Sequence, residues 1–272
     1  MLSSFYKNLI PAPLFEATML ETKADCNNCN MLQPKRSEGK CYSPNTKCCT
    51  FWPYLPNYLV GAILTENLPG KKQIQQYIMQ NQQAVVLPIG ITAPIKYQVQ
   101  FNNRKKDDFG RRQDLLCPYY DKGSCKIWEF RGSVCATWFC QSSFGEEGKE
   151  FWKIFLDYLS AVEMSLAQDC LVMTGYSPRI TRYNLEYINR KEATESEMNG
   201  LQDWTLELLW QDFFKEQESF YLWCYNYVKN LSRSEFETLI GKIGVDYEKL
   251  SIAKLERILL KNELRNQQGV YQ

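Results

Sequence analysis

Nine cysteines gathered between residues 26 and 140, in a chain with no histidine, define the chemistry open to this protein. They are Cys26, Cys29, Cys41, Cys48, Cys49, Cys117, Cys125, Cys135 and Cys140, and only Cys170 and Cys224 lie outside the group. Without histidine there is no Ser-His-Asp triad, no Cys-His dyad and no imidazole ligand. A transition-metal site would therefore rest largely on thiolate. Cys26-x2-Cys29 is the spacing at which two thiolates close on one metal through a tight loop, in zinc knuckles and iron–sulfur loops alike. Cys48 and Cys49 are adjacent, and adjacent side chains diverge in extended backbone, which would send them to different metals or to different corners of one cluster. Cys117-Pro118 matches the proline that follows a ligand cysteine in bacterial ferredoxins. Nine thiols exceed one tetrahedral site; two four-thiolate centres with one spare, or one larger cluster, would fit the count. Zinc and iron–sulfur both accept four thiolates, so spacing does not choose between them. An odd total fits complete disulfide pairing poorly. Cys170 and Cys224 read as small buried hydrophobes on helical faces.

These residues also carry a family resemblance. Cys26-x2-Cys29, Cys48-Cys49, Cys117-Pro118-Tyr119-Tyr120, and Cys125-Lys126-Ile127-Trp128-Glu129-Phe130-Arg131 leading to Cys135 and Cys140 resemble the YkgJ-type zinc- or iron-chelating domain family. That family's pattern has a Cys pair, a Cys-Cys, a Cys-Pro, a Cys-x-Ile-aromatic-Glu-x-Arg-Pro step and two final cysteines. The segment CCTFWPYLPNYLVGAIL looks like a bacterial subgroup of it. The likeness covers residues 26–140, about half the chain. Gly132 stands where the family usually has Pro, and Ala136 where an Arg often follows the cysteine. The resemblance implies metal binding by the nine cysteines. Flagellin lysine-N-methylase has a similar cysteine region, associated with an iron–sulfur cluster and S-adenosylmethionine-dependent methyl transfer, so protein modification is an analogy. The chain has no Cys-x3-Cys-x2-Cys radical signature, no Gly-x-Gly-x-x-Gly and no Walker A motif.

The expected function is an iron–sulfur protein holding one or two four-iron clusters, acting in redox chemistry or cluster-assisted protein modification. The alternatives are a structural zinc module for protein or nucleic-acid interaction and a lysine methylase-like enzyme. Partners are expected to be a protein or a small molecule rather than nucleic acid, with no membrane. Glu129 and Arg131 could tune a cluster, but an ion pair between them is the preferred reading.

The chain has 272 residues, 44% hydrophobic and 23% charged, enough for a substantial core and too polar for a membrane bundle. Its first twenty residues lack a charged segment followed by an apolar one, and no window holds eighteen uncharged apolar residues. A cytoplasmic protein is expected. Residues 1–140 carry 17 Lys and Arg against 10 Asp and Glu, or +7, while residues 141–272 carry 15 against 21, or −6. Arg104, Lys105, Lys106, Arg111 and Arg112 form a basic run interrupted by Asp107, Asp108 and Asp114. It reads as a solvated loop, as a nucleic-acid surface, or as cations offsetting thiolate charge; the first is preferred to the second.

The expected fold class is α+β, mostly α, with a loop-rich metal-binding unit over residues 1–140 packed with a helical domain over 141–272. Asn27, Asn28, Pro34, Ser37, Gly39, Ser43, Pro44, Asn45, Pro53 and Pro56 are turn formers among and just after the first cysteines. Helices are predicted over 56–65 and 70–81, with strands over 94–102 and 126–128. From Glu150, Phe151, Ile154, Phe155, Tyr158, Leu159, Val162 and Leu166 form a helical stripe. A long helix is predicted over 197–230, burying Trp204, Leu208, Leu209, Phe213, Phe220, Trp223, Tyr227 and Val228. Ser232-x-x-Glu235 is a capping box opening a third helix that ends near Gly241 or Gly244, and Leu250, Leu255, Ile258 and Leu259 mark a fourth.

Overall fold

In a computed structural model, residues 2–23, 26–32, 41–66, 68–80 and 83–269 are described. The predicted turn formers Pro34, Ser37 and Gly39 lie outside them. The segment Asn57–Thr65 is apolar all round, and a helix with that pattern has to be surrounded. It is: Asn57 through Leu64 are all buried. Asn57 joins three parts of the fold, donating to Pro88 O at 3.1 Å and Ala167 O at 3.0 Å while its Oδ1 accepts from Tyr58 N at 2.8 Å. Gly61 lets this central helix touch the helix Gln217–Lys229, where a Cβ would lie 1.9 Å from Tyr221 O.

A three-stranded antiparallel sheet lies beside it, with Gly90–Thr92 in the middle, flanked by Leu55–Pro56 and Val85–Leu87. Side chains bond carbonyls of Val85–Leu87: Trp210 Nε1 donates to Val86 O at 3.0 Å, and Tyr221 Oη to Leu87 O at 2.7 Å. The long helix Gly145–Met173 buries Phe151, Phe155, Tyr158, Leu159, Val162 and Leu166, six of its seven predicted positions. It packs against Arg233–Gly269. The Glu248 carboxylate there accepts from Tyr158 and Arg233, and Arg233 also reaches Leu9 O. The main buried apolar core runs from Leu2 to Ile258, with a smaller cluster of Ala93, Tyr97 and Leu115 beside it. The protein is mostly helical, and among the described residues no helix is long and apolar enough to cross a membrane.

Three predicted elements differ. Residues 94–102 form a helix, Ile95–Asn102, rather than a strand. Alternation places Ile95 and Val99, and Tyr97 and Phe101, at i and i+4, so the same pattern also makes neighbours on a helix. The Tyr97 and Phe101 rings stack with centroids 6.1 Å apart. The strand predicted over 126–128 lies upstream, where Ser124–Cys125 pairs with Tyr120–Asp121. Lys122 and Gly123 have φ of 44° and 95°, the two positive values a tight hairpin turn requires; Trp128–Phe130 is a 3-10 turn.

The helix predicted over 197–230 is broken. Asp203–Trp210 ends at Gln211, whose φ of 50° and ψ of −129° are not helical, and Gln217–Lys229 follows. Tyr176 Oη donates to Trp210 O at 2.7 Å, occupying a carbonyl at the break. Leu209, Phe220 and Val228 are buried as expected, whereas Trp204, Leu208 and Trp223 are exposed. The capping box forms, with Ser232 N and Oγ donating to Glu235 at 2.8 and 2.6 Å. Its helix breaks at Gly241, φ 62°, and resumes.

Candidate metal centre

The cysteines sit on turns that brace one another. Ser43–Lys47 is a tight turn in which Lys47 N donates to Ser43 O at 2.8 Å, delivering Cys48 and Cys49. Thr46 Oγ1 donates to Gly110 O at 2.8 Å and Gly110 N to Thr50 Oγ1 at 2.7 Å, so the first cysteine segment is fastened to the basic loop. Cys117 N donates to Cys49 O at 2.8 Å, tying the second cysteine group to the first. The hairpin carries Cys125 opposite Tyr120. Lys47 Nζ donates to Cys26 O at 2.5 Å, and Asn30 Nδ2 to Gln141 Oε1 at 3.4 Å, linking the Cys29 turn to the segment after Cys140.

The product is a cavity of about 860 Å³ lined by six thiols: Cys26, Cys48, Cys49, Cys117, Cys125 and Cys135. Cys29 and Cys140 adjoin this set. Burial and the nearby Cys29, Cys48 and Cys26 thiols push Cys140 up to about 11. Cys135 is pushed up to about 12 by burial, against the pull of Arg131, with Cys125 and Cys48 adding to the rise. Burial, with Cys135 and Cys125 close by, raises Cys117 strongly. The mutual influence of the thiols runs across the whole set: Cys140 is affected by Cys29, Cys48 and Cys26, Cys117 by Cys135 and Cys125, Cys125 by Cys26, and Cys135 by Cys48. Cys49 joins them, hydrogen-bonded to the Cys48 thiol and through its carbonyl to Cys117 N. Cys48 and Cys49 thus share one cavity. The Cys41 thiol does not line it; the Cys41 carbonyl accepts from Arg111 Nε at 2.7 Å. All eleven cysteines are free thiols, and Cys170 and Cys224 are fully buried among the core helices as expected.

Aromatic rings complete the wall, with Trp128 and Trp138 at its rim, 45% and 48% exposed. Arg104, Lys106, Arg111 and Arg131 also line it. The basic run therefore faces the thiols in part. Arg112 instead pairs with Asp114 and Asp108. The expected Glu129–Arg131 ion pair is not among those of the described residues: Glu129 is exposed, and the Arg131 guanidinium lies 3.5 Å from the Trp128 ring centroid.

The donors have the chemistry of a thiolate-ligated metal centre, and the cavity has room for more than one ion. A single tetrahedral zinc draws its sulfurs to roughly 3.8 Å of one another, from Zn–S bonds of about 2.3 Å. Among the described residues no three Cys, Asp or Glu side chains stand close enough to clasp one ion as they are placed. A group held here would have to span the cavity and take thiolates from several walls. Cys26, Cys29, Cys48, Cys49, Cys117, Cys125, Cys135 and Cys140 would hold it.

Glu163 was not foreseen. Its carboxylate accepts from Ser133 N and Ser133 Oγ, both at 2.6 Å, and so holds the start of the short helix Ser133–Ala136 that carries Cys135. The available signal was an acidic residue on the apolar stripe, next to Val162 and one turn from Leu159. Burial pushes Glu163 from 4.5 up to about 7, with the two Ser133 bonds opposing. The folded protein thus holds this proton more tightly than the unfolded chain. Its contribution to stability is complete below pH 4.5 and is lost as pH rises through 7. The loss is about 3 kcal/mol at 1.36 kcal/mol per unit. Glu163→Gln should flatten this slope, so that the variant gains on the wild type between pH 5 and pH 8 in urea unfolding. A constant difference across that range would exclude the buried carboxyl as its source.

No family model matches the chain, and neither does any curated protein or solved structure.

Proposed function

We propose that this is a cytosolic iron–sulfur protein whose thiol-lined cavity holds one or two four-iron clusters, serving electron transfer or cluster-assisted modification of a protein. The observation that carries the reading is the convergence of six thiols on one 860 Å³ cavity with two more beside it, in a chain with no imidazole. Such a cluster would supply one-electron redox chemistry. The chain's own residues contribute the rest. Aromatic walls restrict water, the cations lining the cavity offset thiolate charge, and Glu163 and the Cys49–Cys117 backbone bond fix where two of the ligand segments start. The eight thiols at or beside the cavity are enough for one or two four-thiolate centres, with Cys41 as the spare.

Structural zinc is the second reading. It is favoured by the scarcity of regular structure around the cavity, where turns and two-residue strands gain most from a metal cross-link. Substitutions test the ligand assignment. Cys41→Ser should keep the full metal content of anaerobically purified protein, while Cys48→Ser and Cys135→Ser should each lose about half or more. Equal loss in all three, or none, would contradict the assignment. Metal and acid-labile sulfide analysis decides between iron–sulfur and zinc.

A further inference from the structure

Arg131 is the cation on the cavity wall whose charge has no acceptor. Its Nε is buried without a hydrogen-bond partner, and its guanidinium is held against Trp128, the centroid of that ring 3.5 Å away. Arg104 shares the unpartnered Nε and a ring contact, with Phe101 at 3.5 Å, but unlike Arg131 it and Arg111 also donate to a carbonyl. Arg104 Nη1 donates to Phe101 O at 2.6 Å, Arg111 Nε donates to Cys41 O at 2.7 Å, and Lys106 is exposed to solvent. Glu129, the nearest acidic residue in sequence, points outward and does not pair with it. A guanidinium with its Nε withdrawn from water keeps its proton and is costly without an anion. The groups that face it are thiols: Cys135, Cys125, Cys26 and Cys48, in order of their electrostatic effect. All four line the same cavity as Arg131.

We propose that Arg131 is the charge-compensating residue of this cavity, donating toward the thiolate sulfurs of the bound centre and thereby raising its reduction potential. The proposal rests on the iron–sulfur reading. A cluster held by four thiolates is anionic and becomes more so when it takes up an electron. A fixed cation close by, screened little by water, favours the reduced state. Trp128 holds the guanidinium by its ring face, the geometry of a cation–π contact, and is itself half-exposed at the rim.

Arg131→Met removes the charge at similar length, and Arg131→Lys keeps it. Both are purified anaerobically beside the wild type, assayed for iron and sulfide, and titrated with dithionite while the reduced centre is followed by electron paramagnetic resonance. Arg131→Met should load normally, but at the wild-type midpoint its reduced-to-oxidised ratio should fall about tenfold, equivalent to about 59 mV for one electron. Arg131→Lys should lie closer to the wild type than to Arg131→Met. If Arg131→Met fails to load while Arg131→Lys loads with a near wild-type midpoint, the need for the charge is upheld. Two outcomes overturn the proposal alone: a loaded Arg131→Met with the wild-type midpoint, or both variants failing alike to assemble, which would make Arg131 a packing element. A wild-type protein without iron and sulfide overturns the iron–sulfur reading and this proposal together.

Discussion

Removing metal anaerobically with a chelator is expected to release the cavity wall while leaving the helical core folded. Amides in 41–54 and 103–126 should exchange rapidly in the stripped protein, whereas those of Asn57–Thr65, Gly145–Met173 and Gln217–Lys229 keep their protection. The physical reason is the difference in what holds the two regions. The core helices are buried against one another and against the sheet. The wall consists of short turns, two-residue strands and a four-residue helix around 860 Å³ of space, anchored to the core at Tyr119, Ile127 and Phe130. Cross-wall fastening comes down to bonds such as Cys117 N to Cys49 O and Thr46 Oγ1 to Gly110 O. Structural thiolate sites contribute apparent binding energies of about 10–16 kcal/mol, comparable with the whole stability of a domain. Loss of the metal should therefore abolish local order there. Hydrogen exchange read by mass spectrometry, with and without chelator, checks this; identical protection in both states would mean that the wall stands without metal.

The second large effect lies in the core. Gly61→Ala should destabilise the protein by about 3 kcal/mol, the upper end of ordinary overpacking penalties. At 2–4 °C per kcal/mol for a chain of this size, the melting temperature should fall by roughly 6–12 °C. The added Cβ would meet Tyr221 O at 1.9 Å and Tyr225 Cβ at 2.8 Å. Backbone inside the Gln217–Lys229 helix cannot yield without parting the two helices, and Tyr221 is also bonded to Leu87 O in the sheet. Thermal unfolding by circular dichroism measures the shift. An unchanged melting temperature would contradict the close approach of these helices.

Elements whose signal is local were legible in the sequence. The Ser232–Glu235 box closes two hydrogen bonds within four residues, and the Phe151-to-Leu166 stripe repeats at helical spacing, so neither depends on distant partners. Those that depend on distant partners were misread. Residues 94–102 have strand-forming composition, yet Tyr97 Oη bonds Trp52 N and Leu115 O, and Gln98 Nε2 bonds Ala93 O and Tyr187 O, contacts suited to a helix. The break after Trp210 is likewise determined by Tyr176 and Val86, far off in sequence.

For the candidate centre, residue type and spacing singled out the nine thiols. Which of them share a wall depended on the turn at Ser43–Lys47 and the hairpin at Lys122–Gly123, which spacing alone did not register. Arg131 was read with its chain neighbour Glu129, but the 3-10 turn Trp128–Phe130 carries the two residues to opposite sides.

The most direct test is inorganic analysis of the wild-type protein purified without oxygen, with its visible spectrum. An iron–sulfur centre here gives a brown protein with iron and acid-labile sulfide in equal amounts at about four or eight of each per chain, as expected for one or two four-iron clusters. A colourless protein with stoichiometric zinc, or with no metal at all, would contradict the iron–sulfur reading.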